Sequence, residues 1–352
     1  MAEKIIIDGI HVTNSDIKCP GCGATNITFD PATTTLSCPF CGVSALLPTP
    51  ETGAVAEELD FNSAMQRASV DWGRYKKLVV CSNCGGETIY DAEKITGSCP
   101  FCGSTHVTTA ETAQIMAPNA VIPFAFGKEK LQDLFIAEFK KRAMLNKKAL
   151  NCKLENVTGI YLPFWTFDTY TASSYTAVIP KGHGRADYEK RNWYQFIDDI
   201  VVFASVKIRH PFIKNVQEFD FTKAVPYSPE YLAGIPAERY TRGLNDGWNR
   251  AQLYISDKLK TTINRSDRRR SYARDIATNY YNVKFRYLLA PIYLATYTFG
   301  KKTYQVAING QTGKTVCPVP TTVGKLVRLI LLFMLAVAII MVITVILMIN
   351  FL

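Results

Sequence analysis

From Leu329 to Ile349 the chain runs through 21 residues of which only Thr344 is not apolar. No polar stripe interrupts the run, so it does not read as the amphipathic helix of a globular core. At about 1.5 Å per residue it spans about 30 Å, the hydrocarbon thickness of a bilayer. It predicts a single transmembrane helix, a tail anchor over residues 325–352 with almost nothing translocated. Lys325 and Arg328 precede it, and positive residues favour the cytoplasmic side. The expected placement is the cell membrane, single-pass, with the bulk of the chain cytoplasmic.

Upstream, the apolar positions Leu131, Leu134, Phe135, Ile136, Phe139 and Leu145 recur at helical spacing and predict an amphipathic helix over 127–150. Tyr161–Asp168, Tyr170–Ile179 and Asp198–Ile208 are aromatic and β-branched and predict strands. The second half repeats this grammar. Ala224-Val-Pro-Tyr227 echoes Val121-Ile-Pro-Phe124, and Leu289–Tyr297 echoes Leu162–Tyr170. Ser228-Pro229 signals a helix start, and polar helical sequence runs from about Ala237 to Tyr281. Asn309-Gly310 is the dipeptide that a two-residue hairpin turn prefers. The fold class expected is α+β over 119–320, a duplicated helix and antiparallel-sheet domain with diverged halves at about 119–222 and 223–320.

Cysteine completes the organisation. Cys19 and Cys22 are followed by Cys38 and Cys41; Cys81 and Cys84 are followed by Cys99 and Cys102. Each frame is two C-x2-C pairs, and the second lies 61 or 62 residues after the first, which marks an internal duplication. Tetrahedral Zn2+ takes four soft ligands, and a C-x2-C turn offers two. A Gly follows every pair, suiting a backbone that turns with positive φ behind the second ligand. Cys-Pro-x-Cys alone reads equally as a redox motif, but four pairs at metal spacing favour two structural Zn2+ ions. Small zinc ribbons are therefore expected over 1–48 and 78–118, joined by a linker with a short helix over 49–77. The N-terminus lacks the length of a secretory signal, which suits free thiols in a reducing compartment. Cys152 and Cys317 lie outside the frames.

Charge divides the 352 residues and their net +10 unevenly. Residues 1–118 carry 7 Lys and Arg against 13 Asp and Glu, and the remainder 33 against 17. Nucleic-acid affinity comes largely from cations that neutralise phosphates, so the acidic ribbons argue against that partner and for protein. The basic excess includes Arg265, Arg268, Arg269, Arg270 and Arg274, a cluster suited to anionic lipid or to a solvated face. Only Tyr272 interleaves with it in sequence, short of the interleaving that base stacking would require.

Catalytic motifs are absent. Gly310-Gln-Thr-Gly313-Lys314-Thr315 ends like a phosphate-binding loop, but Ile308 stands where that motif requires Gly. His183, in Lys181-Gly-His-Gly-Arg185, reads as a plain loop residue. Closed four-cysteine sites leave zinc no open position for hydrolysis. No catalytic or cofactor-binding residue is expected beyond the cysteines, and the chain reads as a non-enzyme.

Taken with the ribbons and the apolar tail, Leu162–Asp168, Asp198–Ser205 and Ala307–Lys314 resemble the bacterial zinc-ribbon membrane proteins, often labelled primosomal helicases or transcription-factor-like zinc proteins. The resemblance implies an envelope adaptor encoded near phage-shock protein A and band-7/flotillin homologues, with partners of that type. The function expected is a membrane-anchored, cytoplasm-facing adaptor or scaffold that contacts or recruits protein partners at the bacterial membrane, in envelope-stress or flotillin-type assemblies. Its rivals are a membrane-tethered nucleic-acid-binding regulator using Arg265–Arg274, and an enzyme with an unrecognised central site.

Overall fold

A computed structural model describes residues 5–7, 10–13, 16–17, 19, 21–24, 27–30, 33, 35–46, 56–64, 76–91, 98–110, 116–142, 145–206, 216, 218–266, 271–320, 327–328 and 331–341. Three short strands, β1 (Ile5–Ile7), β2 (Ile10–Thr13) and β3 (Asp16–Ile17), pair in an antiparallel sheet ahead of the first cysteines. The first ribbon follows as β4 (Thr28–Asp30), β5 (Thr35–Ser37) and β6 (Ser44–Leu46).

Twelve strands then join in one sheet among the described residues. Its spine is an antiparallel pair, β12 (Glu155–Gly182) and β16 (Tyr272–Phe299), each 28 residues long. The stretches expected as separate strands at 161–168 and 170–179 are one continuous strand. The echoed segments face each other, with Tyr161 opposite Pro291 and Pro163 opposite Leu289. Beyond β12 lies β13 (Arg185–Phe203); beyond β16 lie β17 (Lys302–Asn309) and then β18 (Thr315–Val316). Two short strands, β11 (Ala120–Val121) and β14 (Val225–Pro226), pair with each other, and β11 also runs parallel to β16.

Burial divides the spine into two parts. Residues 160–169 of β12 and 285–295 of β16 are buried at every position, the pattern of strands covered on both faces. One face carries Tyr161, Trp165, Phe167, Tyr287, Tyr293 and Tyr297. It lies against α2 (Leu131–Lys140) and α3 (Leu244–Ser266), whose inward positions include Phe135, Phe139, Ala251 and Ile255. The other face, with Leu162, Phe164, Leu288 and Ile292, packs on Ile122, Val216 and Phe219. Full burial of one such side chain contributes about 1.5–3 kcal/mol. α2 covers only the first part of the helix expected over 127–150. α3 stops at Ser266, not Tyr281; the polar residues after it, such as Arg274 and Asn279, line an exposed strand face and not a helix surface.

At Asp168 the register of β12 shifts against both neighbours, between Phe167 and Thr169 toward β13 and between Asp168 and Tyr170 toward β16. Asp199 (φ 47°) and Asn282 (φ 50°) take the extra left-handed residues. Past this double bulge the three strands continue as an arm. Among the described residues only one face of it is covered, by α3.

The ribbons are built into this body. The second consists of β8 (Lys76–Cys81), β9 (Glu87–Asp91) and β10 (Val107–Ala110), and β15 (Ala237–Glu238) ties β9 to β12. The first docks through Phe29, whose N–H donates to the Ala233 carbonyl at 3.1 Å and whose ring meets Tyr231 edge-on at 5.9 Å. Within the segment expected as a linker, β7 (Leu59–Asp60) pairs with β16, and α1 (Phe61–Ala64) sets Phe61 among Phe167, Trp248 and Phe285. That segment is therefore packed where it is described.

At the far end, Tyr297 donates to the Pro318 carbonyl and Asn146 to that of Pro320. The chain thus leaves beside α2. Residues 331–341 are helical and exposed; among the described residues no helix is long and apolar enough to cross a membrane. Residues 329, 330 and 342–349 of the expected span lie outside the described residues.

Candidate metal centres

Each C-x2-C pair closes the same turn. The N–H of Cys19 donates to Ala24, Cys38 to Val43, Cys81 to Gly86 and Cys99 to Ser104, at 2.8–3.0 Å. In return Gly23, Gly42, Gly85 and Gly103 donate to the first cysteine's carbonyl. All four glycines have φ between 71° and 74°, where a Cβ would strain the chain. The Gly after each pair is thus a geometric requirement of the turn.

Paired turns bring the sulfurs together. Cys19 Sγ lies 3.3 Å from Cys41 and Cys22 lies 3.6 Å from Cys38; Cys81 to Cys102 is 3.7 Å and Cys84 to Cys99 is 3.6 Å. A tetrahedron with metal–sulfur bonds of about 2.3 Å has edges of about 3.8 Å. All four sulfurs of each set lie within 4.8 Å of one another. The donor set fits Zn2+ in both ribbons, with two structural ions held by four thiolates each. In each set the first cysteine of a pair is buried and the second more exposed. Asn83 Nδ2 donates to Cys102 Sγ at 3.7 Å, supporting a ligand from behind.

The thiols are prepared unequally. Burial opposes ionisation of Cys38, yet the backbone N–H groups of Cys41 and Phe40 and the neighbouring thiols draw it down to about 6. The first turn of the second ribbon, against the same opposition, brings Cys81 to about 7, whereas burial pushes Cys99, the counterpart of Cys38, up. Burial pushes Cys84 up to about 11. One thiolate per ribbon is therefore formed readily, and metal entry must displace protons from the others.

The two ribbons differ at one duplicated position. In Cys38-Pro-Phe-Cys41, Phe40 is 71% exposed, while Phe101 in Cys99-Pro-Phe-Cys102 is 9% exposed and lies against Gly86. Leu46 of the first ribbon is exposed as well.

A charged cluster that the sequence did not reveal sits at the double bulge. Asp168, Asp198 and Asp199 gather their carboxylates within 4.8 Å. Arg286 reaches Asp199 at 2.5 Å and Glu58 at 3.7 Å, and Lys284 lies 3.5 Å from Glu58. Burial, then the Glu58 carboxylate, pushes Asp168 up to about 7. Glu58, sharing that contact and facing Arg286, is held below its usual range. Glu58 precedes β7, so no sequence pattern pointed to it.

Gly310–Gly313 forms the turn between β17 and β18. It is a four-residue loop closed by Asn309 N–H to Lys314 O at 2.9 Å, with the positive φ at Gly313, and not a two-residue hairpin turn. Lys314 pairs with Glu218. His183 sits at the exposed tip of the β12–β13 hairpin with φ 50°. Cys317 is buried, and Cys152 donates to the Thr298 carbonyl at 3.4 Å. Arg265 ends α3 and Arg274 lies on β16; Arg268, Arg269 and Arg270 lie outside the described residues.

Residues 13–62 match the Ribosomal protein S27 family and residues 76–108 the A2L zinc ribbon domain. The chain is similar to the uncharacterized protein YdjG of Bacillus subtilis (strain 168), 28% identical over 322 residues that cover 88% of this chain and 91% of that protein. No solved structure matches.

Proposed function

We propose that this chain is a membrane-anchored adaptor whose body faces the cytoplasm and whose first ribbon recruits a protein partner. The observation that carries the reading is the duplicated phenylalanine. The same motif buries Phe101 but leaves Phe40 in solvent, in a ribbon that also exposes Leu46. An exposed aromatic on a rigid, metal-clasped turn suits a docking anchor. The tail, 21 residues with one polar member, suits a span, and its described part presents Leu331, Phe333 and Ile340 unburied. The closed thiolate shells favour structure over catalysis. The resemblance to zinc-ribbon membrane proteins makes phage-shock and band-7/flotillin proteins the first partners to test.

Fractionation of cells expressing the full chain tests the anchor. The protein should stay with membranes through a high-salt wash, and deletion from Leu326 onward should release it. Phe40→Ala should leave membrane association and two zinc ions per chain intact while abolishing co-purification with the partner. Release of the full chain by salt alone would overturn the anchor, and unchanged partner binding in Phe40→Ala would overturn the docking role.

A further inference from the structure

Among the described residues the arm beyond the double bulge has an uncovered face of unusual composition. Its inner face, with Tyr175, Ala177 and Ala273, is packed under α3 residues such as Leu259 and Ile263. The outer face is read directly from strand register. Phe196, Tyr170 and Tyr281 stand side by side across β13, β12 and β16, and the first two rings are 4.7 Å apart. One step outward Tyr194, 74% exposed, faces Ala172 and Asn279. Then come Asn192, Ser174 and Ala277, followed by Lys190 and Arg274 flanking Thr176. Tyr188 and Tyr272 flank Val178 in the last row. All six of these aromatic rings are exposed, and no Asp or Glu is paired in the five rows; between the third and fourth, β16 carries a further bulge with exposed Asp275 at φ 53°.

Separation in sequence had hidden this. Along the chain only Tyr272 falls within the arginine run, but the fold places Arg274 between two tiers of aromatic rings drawn from three strands. Rings on a flat sheet stack unpaired bases, side-chain amides reach base edges, and cations neutralise the backbone. From Tyr170 to Val178 the face is about 27 Å long at about 3.4 Å per residue, room for roughly four or five extended nucleotides. A bilayer fits less well. The chain leaves toward residue 327 beside α2, on the opposite face of the sheet and at the other end of β12.

We propose that the outer face of the arm binds single-stranded nucleic acid, with Tyr170, Tyr194 and Phe196 stacking bases and Lys190 and Arg274 contacting phosphates. The site is independent of the adaptor reading and distinct from the acidic ribbons.

The test is fluorescence anisotropy of the full chain, in nanodiscs of zwitterionic lipid, with labelled 15-mers of uridine and of thymidine at physiological salt. The two oligonucleotides separate RNA from DNA preference. Tyr194→Ala and Tyr170→Ala should each weaken binding by about ten-fold. Lys190→Gln and Arg274→Gln should each reduce the salt slope by about 0.7. Tyr254→Ala, on the outer side of α3, should change nothing. Ultraviolet cross-linking of the unaltered protein should place the oligonucleotide on peptides containing Tyr170 or Tyr194, which keeps the test decisive if a variant misfolds. No binding of either 15-mer overturns the proposal. So does equal affinity for a duplex, binding indifferent to all four substitutions, or the same residues serving only anionic vesicles.

Discussion

Asp168 accepts a 2.7 Å hydrogen bond from the backbone N–H of Asp199, a residue held in the left-handed region at φ 47°. One carboxyl thus fastens the bulge that separates the doubly covered sheet from the arm. The same carboxyl shares a proton with Glu58 of the segment joining the ribbons.

Stability should therefore fall as pH rises from about 4 to 7 and level off by pH 8. The folded Asp168 titrates near 7, above the ordinary carboxylate value of about 3.9. The stabilisation it brings is fully present below that lower value and is lost as pH rises through 7. Glu58 is held low and stays ionised across this window. Melting temperature should drop from about pH 4 to pH 7 in the native protein, and Asp168→Asn, which keeps both an acceptor and a donor, should flatten the drop. An equal slope in both proteins would remove Asp168 from this role.

Gly247 lets α3 pass close to the sheet. A Cβ there would lie 2.7 Å from Trp165 Cδ1, and the indole is fixed by its N–H to the Arg242 carbonyl at 2.8 Å. Gly247→Ala gains about 1 kcal/mol of helix propensity but overpacks by about 1–3 kcal/mol. The net should be a lower denaturant midpoint with unchanged zinc content.

Asn309 is wholly buried and makes four bonds. Its Nδ2 donates to the Val216 and Glu218 carbonyls, and its Oδ1 accepts from the N–H groups of Gln311 and Thr312. Asn309→Asp keeps the acceptor, loses both donors and buries a charge. It should cost more in chemical denaturation than Asn309→Ser, by about 1–3 kcal/mol.

Metal removal should separate the ribbons. Cys38→Ser should lose one zinc ion and disturb the melting of the body less, because the first ribbon's strands form their own sheet and add none to the main one. Cys99→Ser should also lose one ion but lower the melting temperature, since β9 and β15 carry the second ribbon into the main sheet. Zinc titration alongside calorimetry reads both effects. Equal destabilisation by the two variants would contradict this division.

The ribbons were legible because their chemistry is local: four thiols at fixed spacing and a glycine behind each pair define the turn without help from the rest of the fold. The echoed prolines, Pro163 and Pro291, were legible for the same reason. What the sequence hid is what the sheet assembles from afar. Tyr170, Tyr194 and Tyr281 share a face only because β12, β13 and β16 fall into one register. Glu58 meets Asp168 only because the inter-ribbon segment adds a strand. The overlong helix expected after Ala237 shows the converse. An exposed strand with alternating Tyr, Asn and Arg has enough polar residues to pass for a helix surface when its partners are unknown.

At about 3.3 Å per residue the 28 residues of β12 reach about 90 Å, with the tail leaving near one end and the arm tip at the other. The length of such a strut is quantised. Removing two residues from each of β12, β13 and β16 would draw the tip in by about 6.6 Å and keep every side chain on its face. Removing one would swap the faces, turning the tyrosines toward α3 and the small inner residues toward solvent. Reach can therefore change over evolution only in even steps, and insertions in these strands should occur in matched pairs.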